Sequence, residues 1–131
     1  MDWQAALRAR LVAAAPVTAL VGSRIYWVDR PQASALPAIT LQTISDDRPQ
    51  HMKGFFGLNP ARVQVDIWTA SYGAAADLAE KVIAALAPAD TANGIRFERA
   101  FVDGKRDLGE RVETQFIHRA SIDFIIHHAA A

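Results

Sequence analysis

The chain has 131 residues, a length that predicts a single domain over residues 1–131, and its 51% hydrophobic and 21% charged residues are typical of a globular protein. Basic and acidic residues both number 14, so the net charge is zero, which disfavours a dedicated nucleic-acid-binding protein because phosphate contacts usually require a basic excess. The absence of cysteine excludes disulfides, thiolate zinc sites and cysteine nucleophiles, and no apolar run is long enough to predict a membrane span.

Helices are predicted in two parts of the chain. Asp2 can cap a first helix over residues 3–14, whose apolar residues recur with helical spacing, and a short helical turn follows over residues 17–21. Ser71 can cap another helix over residues 72–86. The many alanines of that helix would allow close packing against a sheet.

Strands are predicted between and after these helices. Alternating apolar and polar residues indicate strands at 24–28, 38–45 and 61–70, then at 95–102, and finally from 112 onwards. The order of helix, three strands, helix and two strands predicts an α+β fold. We expect a mainly antiparallel sheet of about four to five strands, with two main helices packed on one face.

Residues 103–111, DGKRDLGER, carry a dense and balanced set of charges between the last two strands. This pattern predicts a solvated or salt-bridging connection more than a nucleic-acid site, because its acidic residues would repel phosphates. The final strand is long and has one apolar and one polar face. We expect it to have a free edge, which would favour pairing with another chain.

Candidate catalytic or metal-binding residues are few. His127 and His128 are adjacent, so on a strand they point to opposite faces and do not form a paired metal site, and we expect both to lie in a solvated terminus. An acid-base cluster of Asp46, Asp47 and His51 is one interpretation, but a solvated loop is preferred, since the sequence has no nucleophile motif, phosphate loop or HExxH motif. We therefore expect no catalytic residues, no metal and no cofactor.

The segment DDRPQHMKGFFGLN separates two well-patterned strands and places two phenylalanines between glycines. One phenylalanine of such a pair needs a partner outside the core if the segment is a strand. A protein interface and ordinary core packing both remain open. If it is an interface, the candidate residues are Arg48, His51, Met52, Lys53, Phe55 and Phe56.

Four stretches, in order, resemble the tail-completion or tail-terminator proteins of long-tailed bacteriophages, which also occur in prophages and gene transfer agents. The stretches are ALVGSRIYW, LPAITLQTIS, GLNPARVQVDIWTASYGAAADLAEKVIAAL and FIHRASIDFII. The resemblance runs from about residue 7 to residue 127, nearly the whole chain. The connection at 103–111 is the least similar part.

The resemblance implies a structural protein without enzymatic activity. Such a protein forms a ring, typically hexameric, on the last ring of the tail tube protein, stops polymerisation and presents a surface to the head-side connector protein. It implies assembly in the bacterial host cytoplasm, a place at the head-proximal end of the virion tail, and contact with DNA only as DNA crosses the lumen.

Two other functions remain open. One is a small ligand-binding or isomerase-type α+β enzyme, for which we would expect a deep cavity lined by Asp46, His51 or Tyr72. The other is a self-associating module of a non-viral assembly. Neighbouring genes for tail tube, tape measure or portal proteins would distinguish this module from the phage function.

Overall fold

The computed structural model describes residues 2–29, 35–48, 50–51, 54–55, 58–112 and 114–130. Within these residues the chain has a mixed α+β fold. The helices are α1 (Trp3–Ala13), α2 (Ala15–Val21) and α3 (Tyr72–Leu86). The strands are β1 (Ile25–Trp27), β2 (Ala38–Asp46), β3 (Gln50–His51), β4 (Gly54–Phe55), β5 (Asn59–Thr69), β6 (Asp90–Ala92), β7 (Ile95–Phe97), β8 (Phe101–Val112) and β9 (Gln115–Ala130).

The helix ends have the local interactions that the sequence predicts. The carboxylate of Asp2 accepts a hydrogen bond from the backbone N–H of Gln4 at 2.9 Å, and the hydroxyl of Ser71 accepts one from that of Ala74 at 3.2 Å. Gly22 ends α2 with a φ of 58°, a backbone angle that glycine adopts at little steric cost. By length and hydropathy, none of the described helices would cross a membrane alone, whereas α1 and α2 together meet that criterion despite an 86° bend between them.

The main sheet has seven strands in the described part of the chain. Its order is β1-β2-β5-β9, and the far edge of β9 pairs with β8 along its first part and with β7 near its end. Only the β1–β2 pair is parallel among these pairings. The strand count exceeds the four to five predicted, partly because a turn at Asn93 and Gly94 makes a separate hairpin of β6 and β7.

The prediction of a charged connection at residues 103–111 is wrong, because this segment lies inside β8. It pairs antiparallel with β9 from Phe101 opposite Ile125 to Val112 opposite Gln115. The sequence pattern did not predict this strand, since its charged residues interrupt the alternation of apolar and polar residues. The prediction of a free edge on the final strand is also wrong. β9 has neighbours on both sides, and the strands of the main sheet with an open edge in the described part are β1, β6 and β8.

A hydrophobic core joins all three helices to one face of the sheet. On that face Val65 of β5 lies opposite Ile122 of β9, and neither is exposed to solvent. Arg10 of α1 is also buried, and its guanidinium donates hydrogen bonds to the carbonyls of Ala85 and Pro88 at the end of α3. The larger fully buried side chains include Leu7, Leu11, Ile25, Ile39, Leu41, Ile67, Leu78, Leu86, Phe97, Phe124 and Ile126.

Candidate functional site

The segment predicted as an interface joins β2 to β5, and we refer to residues 47–58 as the β2–β5 loop. Within it β3 and β4 form a short hairpin, in which Gln50 lies opposite Phe55 and His51 opposite Gly54. Among the predicted interface residues, Met52, Lys53 and Phe56 lie outside the described residues. The interface interpretation of this loop stays a prediction.

The base of the loop is held by Asp46, the last residue of β2. Its Oδ2 accepts hydrogen bonds from Nε1 of Trp3 at 3.2 Å and from Nη2 of Arg48 at 2.6 Å. Its Oδ1 lies 3.3 Å from Nε2 of His128 in β9. These four residues, here called the Asp46 cluster, link α1, the start of the loop and the last strand.

Burial and hydrogen bonding together set the protonation states in this cluster. The pKa of His128, which is only 3% exposed, is lowered from its ordinary value because burial disfavours its charged form more than Asp46 favours it. Burial would raise the pKa of Asp46, but hydrogen bonds from Arg48 and Trp3 outweigh burial and lower it. Near neutral pH the cluster therefore holds a charged Asp46 beside a neutral imidazole.

A cavity of about 380 Å³ lies beside the Asp46 cluster. The enzyme alternative predicted a cavity lined by Asp46, His51 or Tyr72. Asp46 lines this cavity and Tyr72 does not, and the side chain of His51 is outside the described part. Both oxygens of Asp46 already have partners from the protein, an arrangement suited to fixing the loop base more than to proton transfer. Among the described residues no group of three or more histidines or carboxylates is placed to hold a metal.

Aromatic side chains gather at the end of the sheet opposite the β2–β5 loop, beside the turn between β8 and β9. The ring of Phe116 contacts that of His118 at a centroid distance of 4.8 Å, and Tyr72 contacts His118 at 6.5 Å. The guanidinium of Arg111 lies 5.8 Å from the centre of the Phe116 ring. We refer to these four residues as the tip cluster. The sequence prediction missed it, because its members come from three separate elements.

The face of the sheet opposite the helices, here called the outer face, carries a network of paired charges. Its ion pairs are Arg62–Asp103 at 2.7 Å, Arg106–Asp123 at 3.0 Å and Arg119–Asp66 at 3.7 Å. Arg119 also lies over the ring of Trp68, whose Nε1 donates to Oγ1 of Thr40 at 2.9 Å. The charge of each of these arginines is therefore balanced within the face.

A sequence-family model described as "Tail completion protein gp17" matches residues 5–128. The chain belongs to this family. The match runs from residue 5 in α1 to His128, and so it includes the outer face, the tip cluster and three of the four residues of the Asp46 cluster, all but Trp3. It confirms the resemblance seen in the sequence and assigns the chain to the structural proteins of phage-type tails.

Comparison with solved structures supports the fold of this tail completion family member. A chain in "Virion of native gene transfer agent (GTA) particle" is similar with a TM-score of 0.68 and 23% sequence identity. The similarity covers 97% of this chain and 94% of the other. None of the curated proteins matches the chain.

Proposed function

We propose that this protein completes a phage-type tail by forming a ring, hexameric as the family resemblance implies, on the last ring of the tail tube. The ring stops polymerisation of the tube protein and forms the surface that joins the tail to the head-side connector. The family match over residues 5–128 carries this proposal. The helices and the sheet share one hydrophobic core, which supports a single domain over residues 1–131 as the subunit of the ring.

The two ends of the sheet are suited to two docking partners. In the pairing of β5 with β9, Asn59 lies opposite His128 at the loop end, and Thr69 lies opposite His118 at the other end. The β2–β5 loop is therefore on one end and the tip cluster on the other. A tail completion ring must contact the tube on one side and the connector on the other, which two such ends would allow.

The β2–β5 loop is the proposed docking element at its own end. Apolar surface is exposed at this end, since Ile44 of β2 and Leu58, the last residue of the loop, are both exposed. The Asp46 cluster fixes the base of the loop. The glycines on either side of the phenylalanine pair would allow the loop backbone to adjust when it contacts a partner. The proposed contact residues are those predicted from the sequence, namely Arg48, His51, Met52, Lys53, Phe55 and Phe56.

DNA must cross the lumen of such a ring, and we propose that the lumen is mixed or acidic in charge. A continuous basic belt would bind phosphates and slow the passage of DNA. The outer face of the sheet would give such a lumen, because three arginines of this face, Arg62, Arg106 and Arg119, are each paired with an aspartate. An electrostatic map of the assembled ring tests this, and a continuous belt of arginine and lysine along the lumen would contradict it.

The protein acts, in this proposal, without catalysis, metal or cofactor. Asp46, the carboxylate that lines the cavity, is engaged by Trp3 and Arg48. Mass spectrometry and metal analysis of untagged protein test this part. A stoichiometric metal or a small molecule retained in the cavity would instead support the ligand-binding alternative.

Deletion of the gene tests the whole proposal. In the phage, prophage or gene transfer agent that encodes this chain, loss of the protein should give overlong tubes or tails that do not join heads. A plasmid copy should restore normal particles. Tails of normal length that join heads without the protein would contradict the proposed function, as would a gene neighbourhood without tube, tape measure or portal genes.

A further inference from the structure

β8 is a long strand at the edge of the sheet, and most of its described residues are exposed. It has 12 residues, and within the described chain it pairs only with β9, so its other edge is open. Phe101 is 58% exposed and Leu108 is 41% exposed. An open edge of this kind presents unpaired backbone N–H and C=O groups, which are the groups that bind another extended strand.

Charged side chains on an edge strand often hinder pairing with another strand, but three charged residues of β8 form ion pairs within their own molecule. Asp103 pairs with Arg62 on the outer face, at 2.7 Å. Arg106 pairs with Asp123 on the same face, and Lys105 lies 3.8 Å from Glu80 of α3 on the other side of the sheet. These side chains lie against their own molecule and leave the edge accessible.

We propose that the open edge of β8 is the surface at which one copy of this chain binds the next copy, whose own strand extends the sheet. This inference rests on the proposed ring, and it names the lateral contact within it. The two docking ends face along the tail axis, whereas the β8 edge faces sideways.

The charge of β8 favours a second copy of this chain as the partner. The strand carries three acidic residues, Asp103, Asp107 and Glu110, and three basic residues, Lys105, Arg106 and Arg111. A strongly acidic or strongly basic partner would therefore gain little electrostatic attraction from this strand. The whole chain has a net charge of zero, so two copies do not repel each other.

The size of the edge predicts how tightly it binds. A strand of this length is about 40 Å long, and with a sheet thickness of about 10 Å its edge covers roughly 400 Å². Specific interfaces bury about 800 Å² per partner. The edge is therefore a weak contact alone, which predicts monomers in dilute solution and association at high concentration or on a tail tube.

Because the chain has no cysteine, a single introduced thiol gives a unique attachment point. We would attach a benzophenone photocrosslinker to Leu108→Cys on β8 and, as a control, to Val12→Cys on α1, which is equally exposed at 40%. Irradiation at about 1 mM protein detects even an association with a Kd near 1 mM. The expected result is crosslinked dimers from position 108, at least five times more than from position 12.

Equal yields at the two positions, or no dimers at position 108, would overturn the proposal. A second measurement uses Leu108→Lys, with Val12→Lys as control, in sedimentation at the same concentration. Only the β8 variant should lose association. These solution measurements do not depend on the tail. Association through β8 without any effect of gene deletion would reject the proposed function alone. A defect on gene deletion without association through β8 would reject the β8 contact alone.

Discussion

The indole of Trp3, in the first turn of α1, stacks on the imidazole of His128 near the end of β9. Their ring centroids are 4.5 Å apart and their planes differ by 17°. Both side chains also contact Asp46, Trp3 through its Nε1 and His128 through its Nε2. The two ends of the described chain are thus joined at the base of the loop proposed to dock.

Trp3→Ala should lower the free energy of unfolding by about 3–5 kcal/mol, because it empties a buried site and removes a hydrogen bond to Asp46. Trp3→Phe is the matched variant, since it keeps an aromatic ring against His128 and loses the indole N–H. It should cost about 1–3 kcal/mol. Urea unfolding measures both. Equal losses for the two variants would mean that stacking and packing contribute nothing here.

The stability of the protein should fall as the pH drops below the ordinary His pKa of 6.5. The lowered pKa of His128 means that the unfolded chain binds a proton before the folded chain does. Stability from the neutral imidazole is therefore complete above pH 6.5 and is lost as the pH falls through the lowered value. The lowered pKa of Asp46 acts in the same direction, below its ordinary 3.8.

Melting temperatures measured from about pH 7.5 down to about pH 5, a range that includes the ordinary His pKa, test this effect. His128→Phe keeps a ring against Trp3 and removes the titrating group, so its melting temperature should depend less on pH. His127→Phe is the control one residue away. If both variants kept the pH dependence of the unmodified protein, the destabilisation would not come from His128.

A close approach at the β8–β9 turn predicts coupling between two residues. A methyl group added at Gly109 would lie 2.5 Å from the ring of Phe116, so Gly109→Ala must displace that ring. Because Phe116 is partly exposed, the ring can move, and we expect a cost of about 1 kcal/mol. In a Phe116→Ala background the same change should cost almost nothing. A double-mutant cycle by urea unfolding measures the difference, and additive effects would refute the coupling.

Phe55→Ala combined with Phe56→Ala should leave the melting temperature unchanged and abolish tail completion, giving overlong tubes or unjoined tails. The reason is that interface aromatic residues commonly contribute about 2 kcal/mol or more to binding. Calorimetry and complementation of a deletion strain test the two halves separately. Normal infectivity with an unchanged melting curve would remove the loop from docking, and a large drop in melting temperature would place the pair in the core.

Local patterns predicted the helices and the central strands well. Asp2 and Ser71 are capping residues in sequence and in structure, and the alternation in β5 correctly assigned Val65 to the core and Asp66 to the other face. These features depend on neighbours within a few residues along the chain, which is the range over which capping and periodicity act.

Features that depend on distant residues were missed. β8 looks like a loop because its charges have partners far away in sequence, such as Arg62 for Asp103 and Glu80 for Lys105. The Asp46 cluster was equally hidden, since Trp3 and His128 meet only when the last strand completes the sheet. His128 was interpreted as part of a solvated terminus, and it is buried.

Cryo-electron microscopy of native particles tests the central claim most directly. In particles of the phage or gene transfer agent that encodes this chain, the protein should form a single ring between the last ring of the tail tube and the connector. Adjacent copies in that ring should meet at β8. Absence of the protein from the particle, or its repetition along the length of the tube, would contradict the account.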